Sequence, residues 1–201
     1  NGLVTERIDV PVSAEALALW RSRIGWETSR KTIGIVARPK DQMIVLRALE
    51  RVRTPVRLVL AGVDPETEIG RWAQRVPLPH IVVCLPFTPD VRPLYDLIEL
   101  ALLPSRSEGL SQALLEAMAL AKPVIASGST GNLEVVTDGV DGRLVAADDP
   151  AAWADAIDAI LEKPSEAARL GRAARVTARE RFSLVRTIER TSALYRGILQ
   201  R

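Results

Sequence analysis

Hydrophobic positions in this chain fall into short aliphatic runs separated by longer amphipathic stretches. The runs at 32–37, 56–61, 81–85, 100–103, 124–126 and 143–146 are β-branched or aliphatic and bounded by polar, Gly or Pro residues, which predicts strands. Between them the apolar spacing predicts helices at 41–52, 66–75, 91–98 and 111–121, with a short helical turn at 132–136. No tight hairpin loop joins neighbouring strands, and runs without strict alternation suit burial on both faces. The pattern therefore predicts an α/β fold, a Rossmann-like doubly wound parallel six-stranded sheet with helices on both sides.

The two ends read as helical. Residues 13–24 predict a helix stopped by Gly25. Asp149 is an N-cap with Pro150 at the first helical position, and Trp153, Ile157, Ile160 and Leu161 share one face of the helix that follows. Pro164 is expected to end it. A second helix, rich in Ala and Arg, spans 165–181, and a final helix begins after Phe182-Ser183 with Leu184, Ile188, Tyr195 and Ile198 on one stripe. Residues 1–12 read as an interdomain linker remnant, and 13–201 as one domain whose C-terminal helices start at about 150. The chain starts at Asn1-Gly2 without a methionine, so the expectation is a piece of something longer.

Composition narrows the function classes. At 201 residues and 47% hydrophobic, the chain can bury a substantial core. A formal net charge of +2 is too small for general attraction to nucleic acid or membrane. A single cysteine, Cys84, sits in an apolar run, reads as a buried core thiol and suits a reducing cytoplasm. No run approaches the roughly 20 apolar residues of a membrane helix. Walker, Gly-rich dinucleotide and nucleophile-elbow motifs are absent, and with one histidine no Cys/His metal cluster can be built. That histidine, His80, reads as an ordinary surface or strand-end residue.

Candidate chemistry gathers around Glu116. The helix from 112 to 121 is apolar nearly all round, and Glu116 is its only charge. A buried carboxylate without partners is costly, so its partners are either ligand groups or backbone and Arg groups of the protein itself. Strand one runs into Arg38-Pro39-Lys40, two cations at the carboxyl edge where open α/β sheets bind ligands; the bland reading is a solvated turn. Strand four runs into Pro104-Ser105-Arg106-Ser107-Glu108-Gly109, whose helix has an N-terminus that favours phosphate. Glu108 and Glu116 lie at most roughly 12 Å apart along the helix axis. That separation suits the two ends of a nucleoside diphosphate sugar.

Glu108 to Glu116 forms a Glu-x7-Glu motif, preceded by Pro-Ser-x-x-Glu-Gly and followed by Glu-Ala-Met-Ala-x-x-x-Pro-Val-Ile-Ala ending at Ala126. On these residues the chain resembles the C-terminal, donor-binding half of a family 4 retaining glycosyltransferase with the GT-B fold. Gly34 to Arg38, Leu58 to Gly62, Asp90 to Tyr95 and Asp138 to Val145 extend the likeness along most of the chain. The resemblance implies a retaining, hexosyl-type transferase in which Arg38 and Lys40 bind the donor diphosphate, Glu108 the transferred sugar and Glu116 the ribose. It places the backbone amides of Gly109, Leu110 and Ser111 on sugar and phosphate oxygens, Pro86 and Phe87 near the base, and Ser105 and Glu134 in supporting positions.

The same resemblance implies no metal and no cofactor beyond the nucleotide sugar. It implies a separate N-terminal acceptor-binding half as partner and no nucleic acid. Its full-length protein would be cytoplasmic, with membrane contact only at the inner face. Only Pro39 separates Arg38 from Lys40, a shorter loop than the family's, and Ala121 and Pro86 stand at usual glycine positions, Glu99 at a usual aspartate. The alternative reading is a non-catalytic nucleotide-binding or scaffolding α/β module. A membrane-surface role for the Arg-rich C-terminal helices is opposed by the interspersed Glu166, Glu180 and Glu189.

Overall fold

Each aliphatic run becomes a strand. The computed structural model describes residues 2–107 and 109–199. Its strands are β1 (Lys31–Val36), β2 (Val56–Ala61), β3 (Ile81–Leu85), β4 (Leu100–Leu103), β5 (Val124–Ser127) and β6 (Arg143–Val145). The helices are α1 (Thr5–Ile8), α2 (Ala14–Ile24), α3 (Met43–Ala48), α4 (Glu68–Ala73), α5 (Arg92–Leu97), α6 (Gln112–Ala119), α7 (Thr130–Val135), α8 (Pro150–Leu161), α9 (Pro164–Phe182) and α10 (Leu184–Leu199). All strand pairs are parallel, in the order β3-β2-β1-β4-β5-β6.

Strand periodicity divides the core into two layers. Val56, Leu58 and Leu60 of β2 point to the side packed by α3, α4 and α8, while Val59 and Ala61 point to the side packed by α2, α5, α6 and α9. Burial on both faces is why these runs read as continuous apolar segments. Trp153, wholly buried, anchors α8 and donates its indole N–H to the Ala146 carbonyl at 3.1 Å.

Local signals set the helix ends. The Ser13 hydroxyl caps α2, and Gly25 closes it in the left-handed region at φ 60°. Asp149 accepts from the Ala151 and Ala152 amides to start α8. Pro164 opens α9 instead of merely closing α8; its fixed φ and missing N–H suit the first turn of a helix. The helices α3 and α4 are shorter than their apolar pattern, with their flanks relaxing into turns.

Two single-residue expectations change. His80 is buried, not exposed, because the Val56 amide at the start of β2 takes the imidazole Nδ1 as its acceptor at 3.4 Å. Burial holds its pKa below the usual histidine value. Cys84 is only half-buried, since β3 is an edge strand. Residues 2–12 pack on the body: Leu3 is buried, its amide donates to the Phe182 carbonyl at 2.8 Å and its carbonyl accepts from the Leu184 amide at 2.9 Å. Among the described residues no helix is long and apolar enough to cross a membrane.

Ala121, just past α6, adopts φ 57° without being glycine. A left-handed alanine costs roughly 1 kcal/mol. Ala121→Gly is therefore expected to raise stability by up to about 1 kcal/mol, readable as a higher midpoint in urea denaturation with unchanged slope.

Candidate functional site

The strand order reverses direction between β1 and β4, which are neighbours in the sheet although far apart in sequence. Loops leaving their carboxyl ends diverge to opposite faces and leave a crevice, the standard ligand position in an open α/β sheet. The loop after β1 carries Arg38, Pro39 and Lys40, and the loop after β4 carries residues 104–111. The two predicted segments therefore meet for a topological reason.

They are joined by hydrogen bonds. Lys40 Nζ donates to Ser105 Oγ at 3.0 Å and also to the Ser107 carbonyl. Buried Gln42 folds the first loop back on itself, accepting from the Lys40 amide at 2.6 Å and donating to the Arg38 carbonyl at 2.7 Å. Asp41 accepts from the Arg106 amide at 3.0 Å. Arg38 is exposed, and among the described residues no carboxylate forms a salt bridge with it. Glu108 lies outside the described residues. Ser111 caps α6 by accepting from the Leu114 amide. Among the described residues, a Cβ added at Gly109 would meet nothing within 4 Å.

Glu116 is half-buried, less enclosed than its apolar helix suggests. It opens into a cleft of about 680 Å³ whose opposite walls are Leu3, Val4 and Arg7 of the N-terminal segment and Pro89 to Arg92 of the turn before α5. Burial pushes its pKa up, against the pull of the Arg7 charge and of the nearby polar groups of Gln112 and Tyr95. Tyr95, fully buried and next to this carboxylate, has its own pKa raised well above the usual value by desolvation and by Glu116. Its hydroxyl donates its one proton to the Ala113 carbonyl at 3.1 Å.

Arg92 fixes the far wall. It pairs with Asp90 at 2.8 Å and donates to the carbonyls of Arg7 and Val10 at 3.1 and 3.2 Å. Glu116 thus has protein partners, yet one side of it faces open space.

The raised pKa of Glu116 has a stability consequence. A carboxyl whose folded pKa lies above its unfolded value, about 4.3, destabilises the fold once the pH rises through that window. Glu116→Gln lacks this penalty. Its melting temperature is expected to match or exceed that of the parent at pH 7, and the difference should shrink as the pH falls towards 4.

The remaining expected residues are dispersed. Ser105 is buried, and its Oγ accepts from Lys40 Nζ. Pro86 and Phe87 follow β3; Phe87 is 81% exposed, and the Glu116 cleft is lined by Pro89 to Arg92 rather than by these two. Glu134 is exposed on α7, its carbonyl accepting from Arg181 at 3.1 Å. The sequence reading passed over Arg7, Asp90, Tyr95, Ser127 and Asn132. Of these, Asn132, a polar residue next to the apolar end of β5, carried the most legible signal.

Known proteins match this arrangement. A sequence profile of the glycosyl transferases group 1 family matches residues 30–163. EpsD of Bacillus subtilis is 34% identical over 158 residues, 78% of this chain and 41% of that protein. The D-inositol 3-phosphate glycosyltransferase of Mycolicibacterium paratuberculosis is 32% identical over 191 residues, 90% of this chain and 43% of that enzyme. Among solved structures, HepE of Anabaena in complex with UDP and glucose superimposes with a TM-score of 0.84 at 25% identity, covering 98% of this chain and 55% of that one. Sucrose-phosphate synthase of Thermosynechococcus elongatus gives 0.81 at 25% identity, covering 99% and 51%. The chain spans less than half the length of these curated relatives and about half of the solved chains. The doubly wound sheet is thus the Rossmann-like half expected of a GT-B enzyme. With the profile running from the last residue before β1 past the end of α8, the chain belongs to the glycosyl transferases group 1 family.

Proposed function

We propose that this chain is the donor-binding half of a retaining, hexosyl-type glycosyltransferase and holds a nucleoside diphosphate sugar at the crevice between β1 and β4. The observation that carries this reading is the layout along α6. Lys40 and the N-terminal turn stand at one end, and Glu116, about 7 Å further along the axis, faces the cleft. The diphosphate would lie against Lys40, Arg38 and the amides of residues 109–111, where cation and helix dipole favour negative charge. The ribose would reach Glu116, and Glu108 would accept from the sugar hydroxyls. That HepE of Anabaena was crystallised with UDP and glucose supports the ligand class.

Chemistry follows from charge placement. As the anomeric carbon–oxygen bond to the diphosphate breaks, negative charge grows on the leaving phosphate, and Lys40 with the α6 amides stabilises it. In a retaining transfer the acceptor oxygen bonds the same face of the sugar while its proton passes to the departing phosphate. The acceptor would be held by a second half. The exposed stripe of Leu184, Ile188, Tyr195 and Ile198 on α10 is the surface we assign to packing against it.

The test is calorimetric titration of the chain with UDP, GDP and ADP sugars, alongside Glu116→Gln. The parent is expected to bind one of the three series, and the variant to bind that ligand about tenfold more weakly through loss of charge-assisted hydrogen bonds. Unchanged affinity of Glu116→Gln for every nucleotide sugar would sink the ribose role.

A further inference from the structure

We infer that Asn132 and Ser127 are positioning residues for Lys40, acting through Ser105, and so set the grip on the donor diphosphate; this rests on the reading of the crevice given above. Hydrogen bonds link these residues across three neighbouring strand ends, reaching the Ser105 backbone on one side and leaving from its hydroxyl on the other. Asn132 on α7 is 1% exposed and donates from Nδ2 to the Ser127 carbonyl at 3.0 Å and to Ser127 Oγ at 3.2 Å. Ser127, the last residue of β5 and fully buried, donates its hydroxyl to the Ser105 carbonyl. Ser105 then presents its own Oγ to Lys40 Nζ.

The direction of this chain is fixed by proton count. The Ser127 hydroxyl has one proton and two lone pairs. Because the Asn132 amide donates into a lone pair, the proton is free to point at Ser105. With the amide turned over, its oxygen would face the Ser127 carbonyl, acceptor against acceptor, so the observed orientation is the one the network allows. It leaves Asn132 Oδ1 buried without a partner. A buried unpaired acceptor is unfavourable. What Asn132 supplies is its two amide protons, aimed at the residue that holds the turn beneath Lys40.

Asn132→Asp keeps the shape but replaces those donors with a carboxylate, which draws the Ser127 proton away from Ser105. Ser127→Ala removes the middle link and serves where the aspartate variant fails to fold. Calorimetric titration with UDP, followed by GDP and ADP if UDP does not bind, is run on the parent, both variants, Lys40→Met and the two double variants. Each single variant is expected to bind about fivefold more weakly than the parent. In the Lys40→Met background neither should add a further loss, because their effect passes through Lys40. Parent-like binding by both variants, or the same fivefold loss with Lys40 already absent, overturns the inference while leaving the crevice reading intact. A parent that binds none of the three diphosphates, or a Lys40→Met variant that binds like the parent, overturns the crevice reading and this inference with it.

Discussion

Lys40→Met is expected to lower affinity for nucleoside diphosphates by about 10- to 100-fold and to leave the fold unchanged. A charge-assisted hydrogen bond between an ammonium and phosphate contributes about 1.5–3 kcal/mol, and each 1.4 kcal/mol is a factor of ten. Lys40 stands at the carboxyl edge of β1, held over the loop after β4 by Ser105 and the Ser107 carbonyl, so it is pre-placed for an anion at the switch point. The residue is exposed, and the hydrophobic core does not depend on it. Its contribution should weaken as salt is raised, because exposed charges are screened. Titrations of parent and variant at low and high ionic strength are expected to converge. Equal affinities at low salt would remove Lys40 from the site.

Gly171→Ala has the largest expected effect on stability. Gly171 lies in α9 where that helix crosses the end of α6, and an added Cβ would stand 2.1 Å from the Ala121 carbonyl oxygen and 3.4 Å from the Pro123 nitrogen. Both are backbone atoms, so no side chain can swing aside. Helices α6 and α9 must separate, at a cost of about 3 kcal/mol, the upper end for overpacking. For a domain of this size that lowers the melting temperature by about 10 °C. Because α6 carries Glu116, nucleotide binding should weaken along with stability. A melting temperature within a degree of the parent would mean that the α6–α9 contact yields easily, contrary to the geometry.

How legible the molecule is from its sequence depends on how local each signal is. Strand positions were readable nearly to the residue because a run such as β4, apolar on both faces and bounded by Glu99 and Pro104, suits a strand covered on both sides. Helix caps such as Ser13 and Asp149 were equally plain, since each cap is a contact between near neighbours. Lys40 and Ser105 meet because strand order brings the loops after β1 and β4 together.

Glu116 shows where local reading stops. Its helix is apolar, but the cleft beside it is made by residues 2–10 and by the turn at 89–92, segments that no helical periodicity around residue 116 can reveal. His80 and Asn132 escaped for the same reason. Each is buried against a backbone group: His80 accepts from the Val56 amide, and Asn132 donates to the Ser127 carbonyl, which also accepts from the Ser129 amide.

The central claim is that the diphosphate of a sugar nucleotide sits between Lys40 and the start of α6 while its ribose reaches Glu116. The most direct test is a crystal structure of the chain with the nucleoside diphosphate that binds it best. The account predicts phosphate oxygens within hydrogen-bond reach of Lys40 Nζ and of the amides of residues 109–111, and a ribose hydroxyl on the Glu116 carboxylate. A nucleotide bound elsewhere on the molecule, or one in the crevice with its ribose turned away from Glu116, would contradict it.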